Sequence, residues 1–460
     1  MPEFEISVPI IVAGAGACGL VAALAARAAG ADVLVIERDA RAGGCTALSQ
    51  GNICAAGTAS QAAKGVPDTP DQLYADIIAK TRGQTDAVLA RTIADNAAQT
   101  LDWLVTEFHF PWELDGAFRA AYGHTYPRVH SWLGRGGADM IQLLAQKCTE
   151  IGVDFLFNSR LLDVFVENTD HVVGVAIERP GGHLEYIGCN ALIIATSGFS
   201  ANAAMVKAHM PEASIARHNG HAGNEGDGIK LGAKIGGALA DMGSYQGYAM
   251  LTEPQGITVP PSIIVSGGFI INKRGERFVD ETKDISGMVH AVLQQPDAVA
   301  WVIYDETIED ACAYIPETAQ LMALNAPKSA ATIENLAAQL DVPANALLDT
   351  FTHAENASSQ GAADEFGRNW NHDTPPRGSL RALKVVGALY HTQGGLCVNK
   401  NARVVRDDGS ALPNLYAGGG AARGVSGPSS WGYLPAMGLC SSVTLGWLAG
   451  RDAATLVLTT

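Results

Sequence analysis

Residues 8–13 form an unbroken apolar run, the pattern of a strand buried on both faces. Residues 19–29 are alanine-rich and predict a helix, and residues 32–37 form the next apolar strand. The chain therefore opens with a β–α–β unit. Helical apolar spacing recurs over 85–108 and 136–151, and a strand is expected at 154–158. Residues 161–167 and 172–179 are β-rich, and Pro180-Gly181-Gly182 turns the chain after them. Residues 191–195 make another apolar strand, ending in Thr196-Ser197-Gly198, and Gly-rich loops occupy 220–228.

The texture changes over 242–389. Buried-strand runs are fewer, Pro260-Pro261 and Pro375-Pro376 interrupt the chain, and 354–375 is polar. A second, inserted domain is the simplest reading. Glycines return from His391, and 415–420 again reads as a strand entering a Gly-rich turn, so the first domain resumes there. The apolar stretch 439–458 is broken by Arg451 and Asp452 and predicts a buried helix, not a membrane span.

A length of 460 residues exceeds one ordinary core, which agrees with two domains. With 47% hydrophobic and 17% charged residues, the chain folds and is not disordered. Its 51 glycines, without a collagen period, point to repeated close approach of backbone to a ligand. A net charge of −16 without a Lys/Arg cluster disfavours nucleic acid and anionic membrane as partners. The cysteines are scattered, with no CxxC pair or CxxCH pattern. They suggest reduced thiols in a cytoplasmic protein, and no metal site is expected. The N-terminus runs into a strand without a basic n-region, so no signal peptide is expected.

The first chemical motif is Gly14-Ala15-Gly16-Ala17-Cys18-Gly19, placed between strand and helix, with Glu37 ending the next strand. That context makes it a dinucleotide fingerprint. Gly14 serves the tight turn, Gly16 the approach of the pyrophosphate, and Gly19 close helix–strand packing. The helix N-terminus attracts phosphate, and Glu37, followed by Arg38, is placed to take the adenosine ribose. The fingerprint serves NAD and FAD alike. A second Gly-rich stretch follows, Gly43-Gly44-Cys45-Thr46-Ala47-Leu48-Ser49-Gln50-Gly51. A third contact region is expected at Gly418-Gly419-Gly420. Closure of the site from the far end of the chain favours FAD.

The chain resembles the flavoprotein family of soluble fumarate reductases, the succinate dehydrogenase flavoprotein subunit, urocanate reductase and 3-ketosteroid dehydrogenases. The pieces that carry the resemblance are GAGACG at 14–19, GGCTALSQG at 43–51, ATSGF at 195–199 and NEGDGIKLGAKIGG at 224–237. GERFVDE at 275–281, HTQGG at 391–395 and LYAGGG at 415–420 complete the set, in order along nearly the whole chain. The resemblance implies a Rossmann-type FAD-binding domain in two segments, 1–241 and 390–460, with an inserted α+β capping domain at 242–389. It adds Thr196, Gly198 and Asp227 to the FAD contacts, beside Thr46, Ser49, Gly51, Gly419 and Gly420. It gives His391 the role of holding a substrate carboxylate or carbonyl; a hinge histidine is the alternative.

Other positions depart from the fumarate reductases, which carry an Arg general acid shortly after the GxRFxxE stretch. Here Asp280-Glu281-Thr282-Lys283-Asp284 leaves only Lys283. Tyr433 stands where the family has a carboxylate-clamping Arg, and Tyr245-Gln246-Gly247-Tyr248 replaces a His-Pro pair. A dicarboxylate needs paired cations, whereas a ketone needs only donors that polarise its oxygen. A tyrosine also carries protons. Tyr433, His391, Tyr248, Tyr245 and Lys283 are therefore the catalytic candidates; simple packing is the alternative for each tyrosine. Cys45 stands where the succinate dehydrogenase subunit has its flavin-linked His, and a buried, inert Cys with non-covalent FAD is expected. The segment 123–130, GHTYPRVH, lines either the site or an ordered surface loop.

The expected activity is FAD-dependent oxidoreduction of a carbon–carbon bond beside a carbonyl, as in desaturation of a cyclic ketone. Reduction of an α,β-unsaturated acid is the alternative, and a non-catalytic flavin-binding sensor is a reading from another class. The expected partners are a small ketone or carboxylic acid and an unidentified electron acceptor or donor.

Overall fold

The computed structural model describes residues 2–116, 118, 120–132, 136–168, 170–370 and 373–459. The chain divides into two compact units. One comprises Met1–Pro211, Gly220–Tyr245 and His391–Thr460; the other comprises Glu212–Asn219 and Gln246–Tyr390.

The first unit is built on an eight-stranded sheet. Ile6–Ala13 lies between Val33–Ile36 and His183–Ile194, parallel to both. Asp154–Leu156 extends one side in parallel and Ala411–Ala417 the other. Burial along Ile6–Ala13 is complete only over its second half, where both neighbours pair with it. The hairpin Arg160–Glu167 and His171–Arg179 joins this sheet antiparallel to His183–Ile194. Its last turn holds Gly181 and Gly182 at φ +85° and +78°, which the Pro-Gly-Gly signal anticipates.

Two helices close on the sheet with almost no side chain between them. Ala17–Ala28 follows the first strand, and Met437–Thr459 is the expected C-terminal buried helix. A Cβ added at Gly446 would lie 2.4 Å from the Cys18 carbonyl oxygen, and one at Gly450 would lie 2.2 Å from that of Ala22. Only glycine permits this approach. The helical spacing over 85–108 becomes one helix, Ala87–Phe108, whose Asp86 side chain accepts from Leu89 N at 3.0 Å.

The second unit contains a six-stranded sheet in which Leu380–Thr392 pairs with Val299–Asp305 and Lys328–Ala330. This corrects the sequence reading of few buried strands: every residue of Val299–Asp305 is buried. The polar stretch 354–375 is also partly core. Arg368 is fully buried, its guanidinium 3.8 Å from the Trp370 ring, and it donates to the Gly268 and Ile264 carbonyls. Arg277 grips Glu281 with two hydrogen bonds of 2.9 and 2.8 Å and reaches Asp364 at 2.6 Å. The GERFVDE stretch thus supplies a buried ion-pair network that organises this unit. Among the described residues no helix is long and apolar enough to cross a membrane.

Candidate functional site

The parallel strands of the first unit end together. Ala13 pairs with Ile36 and with Ile194, and Ile194 pairs with Ala417. The residues that follow are the Gly14 loop, Glu37, the Thr196–Gly198 segment and Gly418–Gly420. Four sequence motifs therefore meet off the carboxyl edge of one sheet, where open α/β sheets bind their ligands.

The glycines there do two different jobs. Gly14 has φ +112°, and an added Cβ would sit 2.3 Å from the Ala195 carbonyl oxygen; at Gly19 it would sit 1.9 Å from that of Gly14. Both are required by packing. Gly16 has only Thr46 Oγ1 near an added Cβ, at 3.7 Å, and Gly44 has nothing within 4 Å. The backbone at these positions leaves an open cradle. Glu37 is buried; its Oε2 accepts from Ala15 N at 2.7 Å and its Oε1 from Asp39 N at 2.9 Å. Burial raises its pKa, opposed by those two backbone donors. Each oxygen keeps a further acceptor site for a ribose hydroxyl. Thr196 Oγ1 is buried without a hydrogen-bond partner among the described residues. An open glycine cradle and a buried acceptor carboxylate at one sheet edge fit an adenine dinucleotide.

His391 and Tyr433 meet nearby in sequence terms only through the fold. Their rings lie edge to face, with centroids 6.0 Å apart. A Cβ added at Gly438, in the first turn of the last helix, would be 3.2 Å from His391 Nε2 and 3.3 Å from Tyr433 Oη. Both polar atoms thus converge on one glycine. Gln393 Nε2 donates to His391 Nδ1 at 3.0 Å, closer than the Thr392 carbonyl at 3.4 Å. The shorter contact makes Nδ1 the acceptor and leaves the ring proton on Nε2. Burial pushes the His391 pKa down to about 4 and raises that of the Tyr433 hydroxyl. At neutral pH the pair is two uncharged donors.

Residues 9–432 match the FAD binding domain family. The chain belongs to this family. FAD is its cofactor, and it is an FAD-dependent oxidoreductase. A probable fumarate reductase of Shewanella frigidimarina is 27% identical over 449 residues, 97% of this chain and 74% of that protein. The open conformation of a flavocytochrome c3 fumarate reductase superposes with a TM-score of 0.83 at 26% identity, covering 99% of this chain and 79% of the other. The 3-ketosteroid-Δ4-(5α)-dehydrogenase of Rhodococcus jostii gives 0.80 at 25% identity, covering 99% and 98%.

Several flavoprotein-motif residues hold the loops that frame the cradle. Thr46 Oγ1 accepts from Ala17 N at 3.1 Å. Ser49 Oγ donates to the Thr46 carbonyl at 2.7 Å and accepts from Gly51 N at 3.1 Å. Gly43 has only Ala47 Cβ near an added Cβ, at 3.9 Å. Gly198 lies against Thr392, whose hydroxyl accepts from Phe199 N at 3.1 Å, and Gly420 lies against Gly198. Gly419 adopts φ +59°. Cys18 is packed beneath Gly418, its thiol pushed up to about 12 by burial. Cys45 is half-buried, and its Sγ accepts from Asn224 Nδ2 at 2.9 Å. Arg38 donates to the Gly223 carbonyl at 3.0 Å, and Asp227 pairs with Arg160 at 2.8 Å and Lys230 at 3.2 Å.

The remaining catalytic candidates stand differently. Tyr245 is fully buried at the end of the first unit's middle segment. Tyr248, in the second unit, donates its hydroxyl to the Val259 carbonyl at 2.6 Å and stacks on Tyr390. Lys283, also in that unit, is exposed in a turn. Sequence reasoning passed over Gln393 and Gly438. Gln393 occupies the variable place in HTxGG, and an amide among glycines carries no periodic signal.

Proposed function

We propose that the chain desaturates a ketone at the carbon–carbon bond next to its carbonyl, in the manner of a ketosteroid dehydrogenase. The observation that carries this is the uncharged donor pair His391 Nε2–H and Tyr433 O–H, converging on Gly438. Among the described residues neither group has a cation as partner. A carboxylate clamp would require one, whereas a carbonyl oxygen is polarised by neutral donors alone.

Bound FAD supplies the two-electron acceptor for a hydride. The residues that hold it, on this reading, are the Gly14–Gly19 loop, Glu37 at the ribose, Thr46 and Ser49 bracing the second loop, and Thr196, Gly198, Gly419 and Gly420. The flavin is taken to be non-covalent, since the position of the succinate dehydrogenase subunit's flavin-linked His is held here by Cys45, whose Sγ accepts a hydrogen bond from Asn224 Nδ2. His391 donates from Nε2 to the substrate oxygen and holds it. Tyr433 donates Oη–H to the same oxygen and polarises the carbonyl, and the high pKa that burial gives it keeps that proton on the hydroxyl. Tyr248 and Asp227 are structural, since their polar atoms are committed to Val259 and to Arg160. The first unit corresponds to a Rossmann-type FAD domain in two main segments, and the second to the inserted capping domain.

A second reading, reduction of an α,β-unsaturated acid, is favoured by HTQGG and by similarity to the fumarate reductases. One screen separates them: flavin bleaching by ketones under anaerobic conditions, against reoxidation of the reduced flavin by enones and unsaturated acids. Bleaching by ketones supports desaturation. Reoxidation by fumarate alone would sink it.

A further inference from the structure

The segment 123–130 contributes a buried ionic chain that the flavin and substrate reading does not use. Arg128 and Asp68 are fully buried. Arg128 Nε and Nη2 grip the two oxygens of Asp68 at 2.8 and 2.9 Å, and Nη1 donates to Asp76 Oδ2. Burial pushes the Asp76 carboxyl up, and hydrogen bonds from Thr125 and Arg128 outweigh it, so its pKa is lowered. Nη1 also reaches His124 Nδ1 at 3.2 Å. A guanidinium only donates, so Nδ1 must accept and the ring proton must sit on Nε2. His124 Nε2 lies 3.0 Å from the Pro435 carbonyl oxygen, which only accepts. Both ends of the ring therefore demand the same neutral tautomer. Burial and then the Arg128 charge push the His124 pKa down to about 4, which keeps the ring neutral.

Pro435 lies two residues beyond Tyr433, and Met437 opens the last helix. Gly123, at φ +107°, packs on the neighbouring residue: its added Cβ would be 2.9 Å from Leu434 Cδ2. The Ala436 carbonyl accepts from Cys54 N at 3.4 Å, and Gly438 N donates to Tyr433 Oη at 3.4 Å. The turn that carries Tyr433 is thus held by the histidine at the end of a chain of buried charges. Burying two carboxylates and a guanidinium is a costly way to gain stability alone, since apolar packing does as well or better. Such a network does supply fixed direction.

We propose that Asp68, Asp76, Arg128 and His124 act as one positioning device, which sets the Tyr433–Gly438 turn through the Pro435 carbonyl. The device serves catalysis only insofar as Tyr433 has the role given above.

The test uses the flavin-loaded protein. Nitrogen-15 NMR of labelled histidine should show His124 protonated at Nε2 and not at Nδ1. His124→Leu removes both bonds; His124→Gln offers an amide that can donate to Pro435 and accept from Arg128. Hydrogen exchange in residues 433–440 should rise roughly fivefold to tenfold in His124→Leu, the effect of about one lost hydrogen bond. Exchange in the strand Ile6–Ala13 should stay unchanged, and His124→Gln should restore most of the protection. A His124 ring protonated at Nδ1 overturns the proposal, and that measurement needs no variant. So does unchanged exchange in 433–440, or a rise spread evenly over the first unit. If the exchange results hold while Tyr433→Phe turns over normally, the positioning device stands and the catalytic reading of Tyr433 fails.

Discussion

Gln393 Nε2 lies 3.0 Å from His391 Nδ1, and this contact makes the outward nitrogen of the imidazole a donor. The consequence is testable by changing one atom. In Gln393→Glu, a carboxylate replaces the donating amide, so the ring proton moves to Nδ1 and Nε2 becomes an acceptor. The variant should show a raised KM, and so a lowered kcat/KM, at neutral pH. The new carboxylate also raises the His391 pKa, so its kcat/KM should recover as pH falls and Nε2 is protonated again. The parent protein should show no such rise, because its ring already presents Nε2–H above about pH 4. Identical pH–rate profiles would mean that Gln393 does not set the tautomer.

Acid should weaken the fold in a defined window. His124, His130 and His391 are each pushed down from 6.5 to about 4, with burial as the first cause in all three. A lowered histidine pKa means that the unfolded chain binds the proton first. Stability is therefore fully present above pH 6.5 and is lost as pH falls toward 4. Each histidine contributes up to about 1.4 kcal/mol per pH unit in that window. Urea denaturation at pH 7, 6 and 5 should show a steadily falling midpoint. A flat midpoint across this range would contradict the burial of these rings.

Glu37→Gln should weaken FAD binding by about 1–3 kcal/mol, the value of a hydrogen bond to a charged group. The two backbone donors that reach its carboxylate also tie the Gly14 loop to Asp39, so part of the loss comes from loosening that loop. Titration of the apoprotein with FAD measures it. In the same preparation, acid precipitation should release all flavin; colour left in the pellet would point to a bond at Cys45.

The dinucleotide cradle was legible because its signals are local. Gly14, Gly16, Gly19 and Glu37 lie within one β–α–β unit, and each spacing has a steric reason that the structure reproduces at Gly14 and Gly19. The long C-terminal helix was legible for the same reason. What was hidden rests on charges satisfied far away in sequence. Arg277 and Glu281 sit in a stretch that reads as a site landmark, yet they pair with each other and with Asp364 and Arg368 in a buried network. Arg128 and His130 read as functional types, and their partners Asp68 and Thr58 lie in another part of the chain. Tyr248 reads from sequence as a candidate for chemistry or for packing, and its hydroxyl donates to the Val259 carbonyl. No pattern of hydrophobic and polar positions reports such pairings.

Tyr433→Phe isolates the atom on which the proposed chemistry turns. The ring is buried and packs edge-on to His391, so phenylalanine keeps the packing and removes only Oη. Gly438 N loses an acceptor, but that contact is long at 3.4 Å, and the turn is held independently through Pro435. Flavin content should therefore be unchanged. If Oη polarises the substrate carbonyl, turnover should fall by about 10²–10³, the effect of one such donor. His391→Ala should act differently. A donor that holds the oxygen equally well in the bound substrate and in the transition state raises KM and leaves kcat nearly intact. The two variants assayed side by side separate anchoring from chemistry. A loss of kcat in Tyr433→Phe with a rise of KM in His391→Ala is the expected pair, whereas normal kinetics in both would place the reacting carbon away from Gly438.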